Sequence, residues 1–316
     1  MESAEKRTET VMSEHSLLSS DGKSRLHVVI WKPLKEIRGV LQISHGMIEH
    51  IRRYDEFARY MTRHGIAVIG HDHLGHGKTS RKEDYGFFAE KSGDVYMIRD
   101  IHRVRKAAER FFSGVPHILL GHSMGSYFLR KYLTIYGSGV DGAVIMGTGD
   151  QPLPILWVGK AAVGVIGRWK GWRHRSSFLH YMVLGDFDRK FKPIKTRDDW
   201  LSSDEKKVEE YVRDPMCNFL FTCQAYEDFF KTMLDLKRKF WLCRMPVDLP
   251  ILLLSGKEDP VGARGRGVRR VYRKLCHLGI RDVSIHLYPN CRHELLNEKN
   301  REQVYHDILE WINQHI

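Results

Sequence analysis

The stretch "HILLGHSMGSYFLRKY", from His117 to Tyr132, contains the motif that decides the fold. Its apolar residues run directly into a short turn, and a pattern typical of a helix follows the turn. A strand that ends in G-x-S-x-G and leads into a helix is a nucleophile elbow, in which a strained turn lifts the serine hydroxyl clear of the sheet. Gly121 and Gly125 are expected there because side chains would collide across so sharp a bend. The stretch therefore predicts Ser123 as a nucleophile.

The composition indicates a globular chain with an excess of positive charge. Of the 316 residues, 42% are hydrophobic and 28% are charged, and the formal net charge is +12 at pH 7. Such a charge admits nucleic acid, a membrane surface or an anionic substrate as a partner. The longest apolar stretch, Ile155 to Gly167, is interrupted by Lys160 and is shorter than the roughly 20 residues that a membrane span needs.

Cysteine usage and the N-terminal residues indicate a compartment. The five cysteines are scattered, odd in number and without a CxxC pair, which is typical of reduced thiols in a cytosolic protein. Residues 1–16 are charged and lack the apolar core of a signal peptide. We therefore expect a soluble, cytoplasmic protein, and peripheral contact with a membrane surface stays open.

Short apolar runs alternate with longer helical patterns along most of the chain. Buried strands that alternate with helices indicate a mostly parallel sheet covered on both faces. The predicted strands are Leu26–Trp31, Gly39–Ser44, Ile66–Asp72, His117–His122, Gly142–Gly147, Pro250–Ser255 and Val283–Tyr288. Helical patterns lie between the second and third of these strands, between the third and fourth, and in the C-terminal residues.

The alternation stops after Gly147. From Gln151 to about Met245 no strand pattern appears, and this stretch contains helical patterns and five of the seven tryptophans. Ser202 or Ser203 is predicted to cap one of these helices, with Asp204 and Glu205 in its first turn. We therefore predict a core of residues 1–150 and 246–316, with a helical cap of residues 151–245 inserted between two strands of the sheet.

A serine nucleophile needs a base and an acid that orients it. In this architecture the acid and then the base follow the serine in chain order, on loops after strands. His293 follows the last predicted strand and is the histidine on the correct loop, whereas His286 lies inside that strand. Asp259 follows the preceding strand and is the predicted acid, and Asp150, after the strand that ends at Gly147, is the alternative.

An oxyanion hole needs two N–H donors. One comes from the residue after the nucleophile, which is Met124, and the other from a loop after an early strand. The segment "LQISHGMIEH" has the form of such a loop, with Gly46 leading into Met47. We predict the backbone N–H groups of Met47 and Met124 as the donors.

Six segments carry a resemblance to a known family: "HGMIEH" (45–50), "GHDHLGHGKTS" (70–80), "GHSMGS" (121–126), "DWLSSDEKKVEEYVRDP" (199–215), "GKEDPVG" (256–262) and "YPNCRHELLNE" (288–298). Together they resemble the α/β-hydrolases of the serine aminopeptidase type, and within them the monoglyceride lipase and lysophospholipase-like enzymes. The resemblance covers nearly the whole chain after about residue 12. It implies an α/β-hydrolase fold with the cap inserted after the sixth strand. It also implies a triad of Ser123, Asp259 and His293, and it departs from many monoglyceride lipases at Met47, where they have alanine.

Other motifs are near misses. The segment "HDHLGH" (71–76) has Gly75 where a metallo-hydrolase motif has aspartate, so we predict a turn ordered by hydrogen bonds from Asp72 and the histidines. The segment "GHGKTS" (75–80) lacks the first glycine of a phosphate-binding loop, because position 72 is Asp72. "GARGRG" lacks the setting of a dinucleotide site. We expect no metal and no cofactor.

Basic residues are concentrated in the predicted cap. Between residues 160 and 197 they face only Asp186 and Asp188 in the same stretch. A solvated surface and an anionic membrane or phospholipid head group are both compatible with this charge, whereas no nucleic-acid-binding motif accompanies it. The basic residues are Lys160, Arg168, Lys170, Arg173, Arg175, Arg189, Lys190, Lys192, Lys195 and Arg197.

These features predict a serine hydrolase that cleaves the carboxylic ester of a single-chain lipid, a monoacylglycerol or a lysophospholipid. An aminopeptidase or a small-ester carboxylesterase of the same fold is an alternative. An aminopeptidase needs carboxylates in the cap to hold a substrate's amino group, and Glu227 and Asp228 keep that alternative open. The alternative without enzymatic activity is a lipid-binding protein on an inactive hydrolase scaffold. Acyl length, head group and oligomeric state stay open.

Overall fold

The computed structural model describes residues 10–185 and 187–316, apart from the side chain of Arg189. Residues 1–9, Asp186 and the Arg189 side chain, which enter the sequence predictions above, lie outside the described residues. One eight-stranded sheet organises the chain, with strand order β1-β2-β4-β3-β5-β6-β7-β8. The strands are β1 (Thr10–Leu18), β2 (Arg25–Pro33), β3 (Gly39–Ser44), β4 (Ile66–His71), β5 (His117–His122), β6 (Gly142–Met146), β7 (Ile251–Gly256) and β8 (Val283–Tyr288).

The sheet is mostly parallel, as predicted. Strands β1, β2 and β4 pair antiparallel, and every other pairing, from β4–β3 across to β7–β8, is parallel. Strands β3, β4 and β5 are buried along their whole length, since helices cover both faces of the sheet centre. Because the central strands are parallel, their carboxyl ends and the loops after them meet at one edge.

Strand β1 was not predicted. Every residue of Thr10–Leu18 is exposed or half-buried, so the segment shows no apolar run or clean alternation. It forms because it pairs with β2 in register from Thr10–Pro33 to Leu18–Arg25. Backbone pairing with a neighbouring strand, and not a buried face, holds this edge strand.

Ten α-helices accompany the sheet. They are α1 (Asp55–Arg63), α2 (Gly93–Phe111), α3 (Met124–Tyr136), α4 (Leu153–Lys170), α5 (Ser177–Leu184), α6 (Glu205–Arg213), α7 (Cys223–Asp235), α8 (Lys239–Leu242), α9 (Arg266–His277) and α10 (Arg301–Asn313), counted over the described residues. Short 3-10 turns lie at Ile51–Tyr54, Gly77–Thr79, Lys82–Asp84, Gly137–Gly139, Phe187–Lys190, Pro215–Cys217 and Leu295–Asn297.

Alternate residues of the strands pack into two apolar layers, one on each face of the sheet. Val28 packs with residues of α2, α3 and α9 on one face, whereas its neighbour Val29 packs with residues of α1 and α10 on the other. Phe57 and Trp311, from α1 and α10, belong to the second layer. These two layers hold the sheet edge that carries the site.

The segment between β6 and β7 is helical in its described part, apart from an isolated bridge between Arg175 and Thr222. Helix α4 packs closely on α7, since a Cβ atom on Gly159 would overlap the ring of Phe230. We call residues 151–245 the cap, with the predicted bounds. No helix in the described ranges is long and apolar enough to cross a membrane.

The predicted N-cap of α6 was wrong by one residue or two. Asp204 is the cap, and its carboxylate accepts from the N–H of Lys206 at 3.1 Å. The hydroxyl of Ser202 instead donates to the carbonyl of Asn297 at 2.8 Å, and that of Ser203 donates to Glu298. Both serines are used in tying the cap to the core, which sequence propensity could not reveal.

Candidate functional site

The turn between β5 and α3 places Ser123 at the carboxyl edge of the sheet. Ser123 has φ 51° and ψ −122°, a strained conformation for a residue with a side chain, and its N–H donates to the carbonyl of Met146 at 3.0 Å. A Cβ atom on Gly121 would lie 2.7 Å from the carbonyl oxygen of Gly125, and one on Gly125 would collide with the carbonyl of Ser44. Close backbone approach therefore requires both glycines.

The loops after β7 and β8 bring Asp259 and His293 together. Nδ1 of His293 lies 3.0 Å from Oδ1 of Asp259, and both side chains are buried. The carboxylate also accepts from the N–H of Val261 at 2.9 Å and from the hydroxyl of Ser255 at 3.2 Å. Because a carboxylate only accepts, Nδ1 of His293 carries the proton of this bond. Nε2 is buried and, within the described ranges, has no hydrogen-bond partner, so it is left to exchange a proton.

Ser123, His293, Met47 and Met124 all line one cavity. A Cβ atom on Gly46 would lie 3.0 Å from Cβ of Ser123, so the loop after β3 approaches the serine closely. In the part of the chain that the structure describes, the N–H groups of Met47 and Met124 donate no hydrogen bond. Two open N–H donors beside a serine are what an oxyanion requires.

Asp150, the alternative acid, lies in a different setting. Its carboxylate accepts from Nζ of Lys274 at 2.8 and 2.9 Å and also from Nζ of Lys237. Burial opposes the charge on Asp150, but these lysines hold the pKa of its carboxyl below the ordinary value. The geometry joins Asp259, and not Asp150, to His293.

A buried histidine supports the loop that carries Met47. Ile48, the next residue, has a φ of 58°, which is rare for a β-branched side chain. Its N–H donates to Nε2 of His76 at 3.3 Å, while Nδ1 of His76 lies 3.0 Å from the carbonyl of Leu74. Burial lowers the pKa of His76 to about 3, so the ring is neutral at pH 7 and can accept this bond. His76 thus positions the Met47 N–H, a role that the sequence analysis did not assign.

The neighbouring turn is ordered by hydrogen bonds, as the near-miss motif predicts. Oδ1 of Asp72 accepts from the N–H of Ile51 at 2.8 Å, and Oδ2 accepts from that of Lys78 at 2.8 Å. Nε2 of His45 accepts from the N–H of His73 at 3.0 Å. The polar side chains of the turn are therefore used to shape the loops under the serine.

One group in the described residues, His50, Asp214 and Cys217, has metal-ligand spacing, with its ligand atoms within 4.8 Å of one another. Nε2 of His50 and Oδ2 of Asp214 already share a hydrogen bond of 2.8 Å. Burial raises the pKa of the Cys217 thiol well above its ordinary value, so the thiolate that a metal needs is disfavoured. These three residues fit a hydrogen-bonded contact between core and cap better than a metal site.

A set of buried charges, which we call the inner network, lies beside the serine: Glu49, Arg53, His122 and Glu294. Arg53 binds Glu294 through two N–H groups, at 2.5 and 2.8 Å, and also contacts Glu49 at 3.2 Å. Oε1 of Glu49 lies 3.0 Å from Nδ1 of His122 and accepts from the N–H of Gly46. These contacts hold the loop before Met47 and the residue before Ser123 against each other.

Pairing favours the charged forms of the inner network, against the effect of burial. Burial opposes the charge on Glu294, but Arg53 lowers the pKa of that carboxyl below its ordinary value. Burial likewise opposes the charge on Glu49, and the hydrogen bond with His122 lowers its pKa. The same bond raises the pKa of His122 against the effect of burial. The sequence analysis missed this network, although Glu49 and Glu294 stand within two of the quoted segments.

The cavity above Ser123 has a volume of about 1240 Å³ and mostly apolar walls. Its residues come from both the core and the cap. The cap contributes apolar side chains that include Leu156, Val158, Leu184, Phe187, Phe229 and Phe230. The space is larger than a small ester requires and is suited to a long apolar substrate.

The fold changes the charge balance of the basic stretch. The sequence analysis set its cations against Asp186 and Asp188 alone, but acids from distant segments pair with several of them. Arg173 contacts Glu90 at 2.9 Å, and Lys160 pairs with Glu227. Lys195 donates to Glu205 at 2.6 Å. Arg175, by contrast, donates to the backbone carbonyls of Glu83 and Tyr85 at 2.7 Å each, which are neutral. The surface of the cap is therefore less positive than the stretch by itself implies.

Comparisons with known proteins agree with the fold and the motifs. The sequence profile of the family described as "Serine aminopeptidase, S33" matches residues 35–300. "Monoglyceride lipase homolog" of Monkeypox virus is 34% identical over 307 residues, which cover 95% of this chain and 98% of that protein. "Monoglyceride lipase" of Homo sapiens is 31% identical over 302 residues, which cover 94% of this chain and 89% of that protein.

A solved structure shares the architecture. The structure of a highly thermostable carboxyl esterase from Bacillus coagulans, in complex with glycerol, superposes with a TM-score of 0.90 at 29% identity, covering 96% of this chain and 99% of that one. The likeness extends over the sheet and the helical insertion alike. The chain therefore belongs to the serine aminopeptidase S33 family, and it is an ester-hydrolysing enzyme with the α/β-hydrolase fold.

Proposed function

We propose that the protein is a serine hydrolase that cleaves the carboxylic ester of a single-acyl-chain lipid, a monoacylglycerol or a lysophospholipid. The observation that carries this proposal is the large apolar cavity, about 1240 Å³, into which Ser123 and His293 open. An acyl chain matches apolar walls, and a polar head group matches the charged residues at the same cavity. The names of the monoglyceride lipase relatives support the same substrate class.

The reaction begins with attack by Oγ of Ser123 on the ester carbonyl carbon. Nε2 of His293 is buried and has no hydrogen-bond partner among the described residues, and it takes the hydroxyl proton as the bond forms. Asp259 accepts from Nδ1 of His293 at 3.0 Å, which fixes the ring and stabilises its charged form. The N–H groups of Met47 and Met124 donate to the oxyanion.

The tetrahedral intermediate then collapses to an acyl-enzyme. The bond between the acyl carbon and the alcohol oxygen breaks, and His293 passes its proton to that oxygen, so the alcohol leaves. Water next attacks the acyl-enzyme, with His293 again as base. Its hydroxyl joins the acyl group as the fatty acid, and its proton returns to Oγ of Ser123.

Labelling with a fluorophosphonate probe tests the nucleophile. Wild-type protein is expected to be labelled and to hydrolyse monoacylglycerol or lysophospholipid, whereas Ser123→Ala loses both properties and keeps its circular dichroism spectrum. Ser177→Ala is the matched control, because Ser177 lines the same cavity and is exposed to it but has no place in the triad. A labelled Ser123→Ala protein would overturn the assignment.

An aminopeptidase is the second candidate, because two cap carboxylates line the cavity. These are Asp188 and Asp198, and burial raises the pKa of each to about 6. Glu227 and Asp228, which kept this alternative open, lie elsewhere among the described residues: Glu227 pairs with Lys160, and Asp228 faces Asp94 between α7 and α2. A panel of monoacylglycerols, lysophospholipids, short p-nitrophenyl esters and aminoacyl p-nitroanilides separates the candidates. Hydrolysis of the anilides alone would favour the aminopeptidase.

The cap surface supports peripheral contact with a membrane through apolar side chains more than through charge. Helix α4 exposes Trp169 to 80% and Val158 and Val165 to 66%, and α5 exposes Phe178 to 62%. Exposed apolar area of this kind, which includes the cavity-lining Val158, is suited to a lipid surface. We propose that the cap docks there and admits the acyl chain.

Cosedimentation with vesicles tests this docking. Trp169→Ser is expected to weaken binding to neutral and anionic vesicles alike, and added salt changes the binding little. The matched control is Phe111→Ser, because Phe111 is an exposed aromatic residue outside the cap, at the end of α2. Binding that requires anionic lipid and disappears at high salt would assign the docking to charge.

A further inference from the structure

A second charged group lies on the cavity wall, outside the triad and the inner network. Asp150 and Arg270 both line the cavity. Asp150 lies in the loop after β6, and Arg270 lies in α9, the helix that follows the loop carrying Asp259. Lys237 and Lys274 reach the same carboxylate. We call Asp150, Lys237, Arg270 and Lys274 the outer cluster.

The outer cluster has more positive than negative charge. Over the described ranges, Asp150 is the only carboxylate within ion-pair distance of Lys237, Arg270 or Lys274. One carboxylate faces three cations, which leaves a surplus of two positive charges. Arg130 adds a further charge beneath them, where it is buried and donates to the carbonyl of Gly149 at 3.0 Å.

The surplus is held in place and accessible. Arg270 donates to the backbone carbonyl of Asp150 at 2.8 Å, and its Nε lies 3.5 Å from Oδ2 of the same residue. The Arg270 side chain is nevertheless 42% exposed, and that of Lys274 is 38% exposed. A guanidinium has five N–H donors in a planar fork, so donors remain free for a ligand beside those fixed on Asp150.

The outer cluster lies within head-group reach of the triad. Gly147 approaches His293, since a Cβ atom there would lie 3.0 Å from Cε1 of the ring. Asp150 lies three residues after Gly147, and three residues of extended chain span at most about 10 Å. In a lysophospholipid, the acyl carbonyl carbon and the phosphorus are about 7 Å apart when the glycerol is extended. The side chain of Arg270 can cover the remaining distance.

We propose that the outer cluster is an anion-binding subsite for the phosphate of a lysophospholipid head group. This inference rests on the proposed function and narrows its substrate class to the anionic lysophospholipids. The planar fork of Arg270 would hold two phosphate oxygens, and the Lys274 ammonium would add a point charge. A neutral glycerol head group can use none of this surplus charge.

Paired substrates test the proposal. The ratio of kcat/KM for lysophosphatidic acid to that for a monoacylglycerol of the same acyl chain is measured at low salt. Wild type is expected to prefer the anionic lipid, and Arg270→Gln should lower the ratio by about tenfold or more, the effect of losing a hydrogen bond to a charged group. Lys274→Gln, a second variant, should lower it in the same direction. The matched control is Arg273→Gln, an exposed arginine on the same helix, which should leave the ratio unchanged. An equal ratio in wild type and both subsite variants would overturn the proposal.

A binding measurement separates this inference from the proposed function. In the Ser123→Ala background, titration calorimetry with lysophosphatidic acid below its micelle concentration reports binding without hydrolysis. We expect lysophosphatidic acid to bind, and we expect Arg270→Gln to weaken this binding by about tenfold. If wild type hydrolyses neither lipid but this binding is found, the reaction is wrong and the subsite stands. If inorganic phosphate binds as tightly as the lipid, the site accepts free phosphate and the head-group assignment fails.

Discussion

The inner network and the outer cluster both bring ionised side chains to one cavity, but they differ in charge balance and in exposure. In the inner network, Arg53 lies between Glu49 and Glu294, and the three side chains are only 4% to 11% exposed. In the outer cluster three cations share Asp150, and two of them are more than a third exposed. Charges removed from water have to be paired, whereas charges that water still reaches can remain in surplus. The comparison indicates that the inner network shapes the site and the outer cluster has charge left for a ligand.

The largest expected effect decides which carboxylate belongs to the chemistry. Asp259→Asn should lower kcat on a monoacylglycerol by roughly 10⁴, because the amide no longer fixes the histidine tautomer. Asp150→Asn should lower it by less than about tenfold, since Asp150 bonds lysines and not His293. Steady-state kinetics with a neutral substrate measure both variants. Reversed magnitudes would move Asp150 from the outer cluster into the triad.

The next effect compares the two groups by stability. Arg53→Met leaves Glu294 buried without its cation and Glu49 with His122 alone, and should lower the free energy of unfolding by about 3 to 5 kcal/mol. Lys274→Met removes a partly exposed member of a surplus and should cost less than about 1 kcal/mol. Urea unfolding at pH 7 measures both. Equal costs would mean that the outer cluster is as integral to folding as the inner network, and the comparison would fail.

A smaller effect is expected at Asp228, a buried carboxylate that forms no ion pair among the described residues. Asp228 is 2% exposed and accepts from Nε2 of Gln224 at 3.3 Å. It faces Asp94, whose partner is Lys231 at 2.9 Å. Burial, followed by the charge of Asp94, raises the pKa of Asp228 from 3.8 to about 7. The charged form therefore destabilises the folded state above about pH 7, and this penalty declines as pH falls from about 7 towards 3.8.

Asp228→Asn should accordingly raise the free energy of unfolding at pH 8 by roughly 1 to 3 kcal/mol. At pH 5 the gain should be less than half as large, because the folded wild type is then protonated at Asp228. Urea unfolding at the two pH values measures the difference. Glu227→Gln, on the same helix and paired with Lys160, is the matched control and should not be stabilised. A gain that is independent of pH would show that charge is not the cause.

Much of the fold was predictable because its signals are local. Strands β2 to β8 are apolar runs of a few residues, and the elbow needs only two glycines around Ser123 between a strand and a helix. Strand β1 was not predicted because it has no buried residue. The N-cap of α6 was predicted wrongly because Ser202 and Ser203 form hydrogen bonds with the core. The misses are therefore places where partners distant in sequence decide the local conformation.

The mostly parallel sheet, the helical insertion after Gly147 and the candidate triad of Ser123, Asp259 and His293 were all predictable from the sequence alone. The contact of His293 with Asp259, and those of Asp150 with Lys237 and Lys274, depend on how the chain folds. The fold also brings acids from outside the basic stretch, such as Glu90 and Glu205, against cations within it. Periodicity and turn chemistry act over a few residues, whereas electrostatic pairing depends on which side chains the fold brings within a few ångströms. Arg53 and Glu294, for example, are 241 residues apart in the chain.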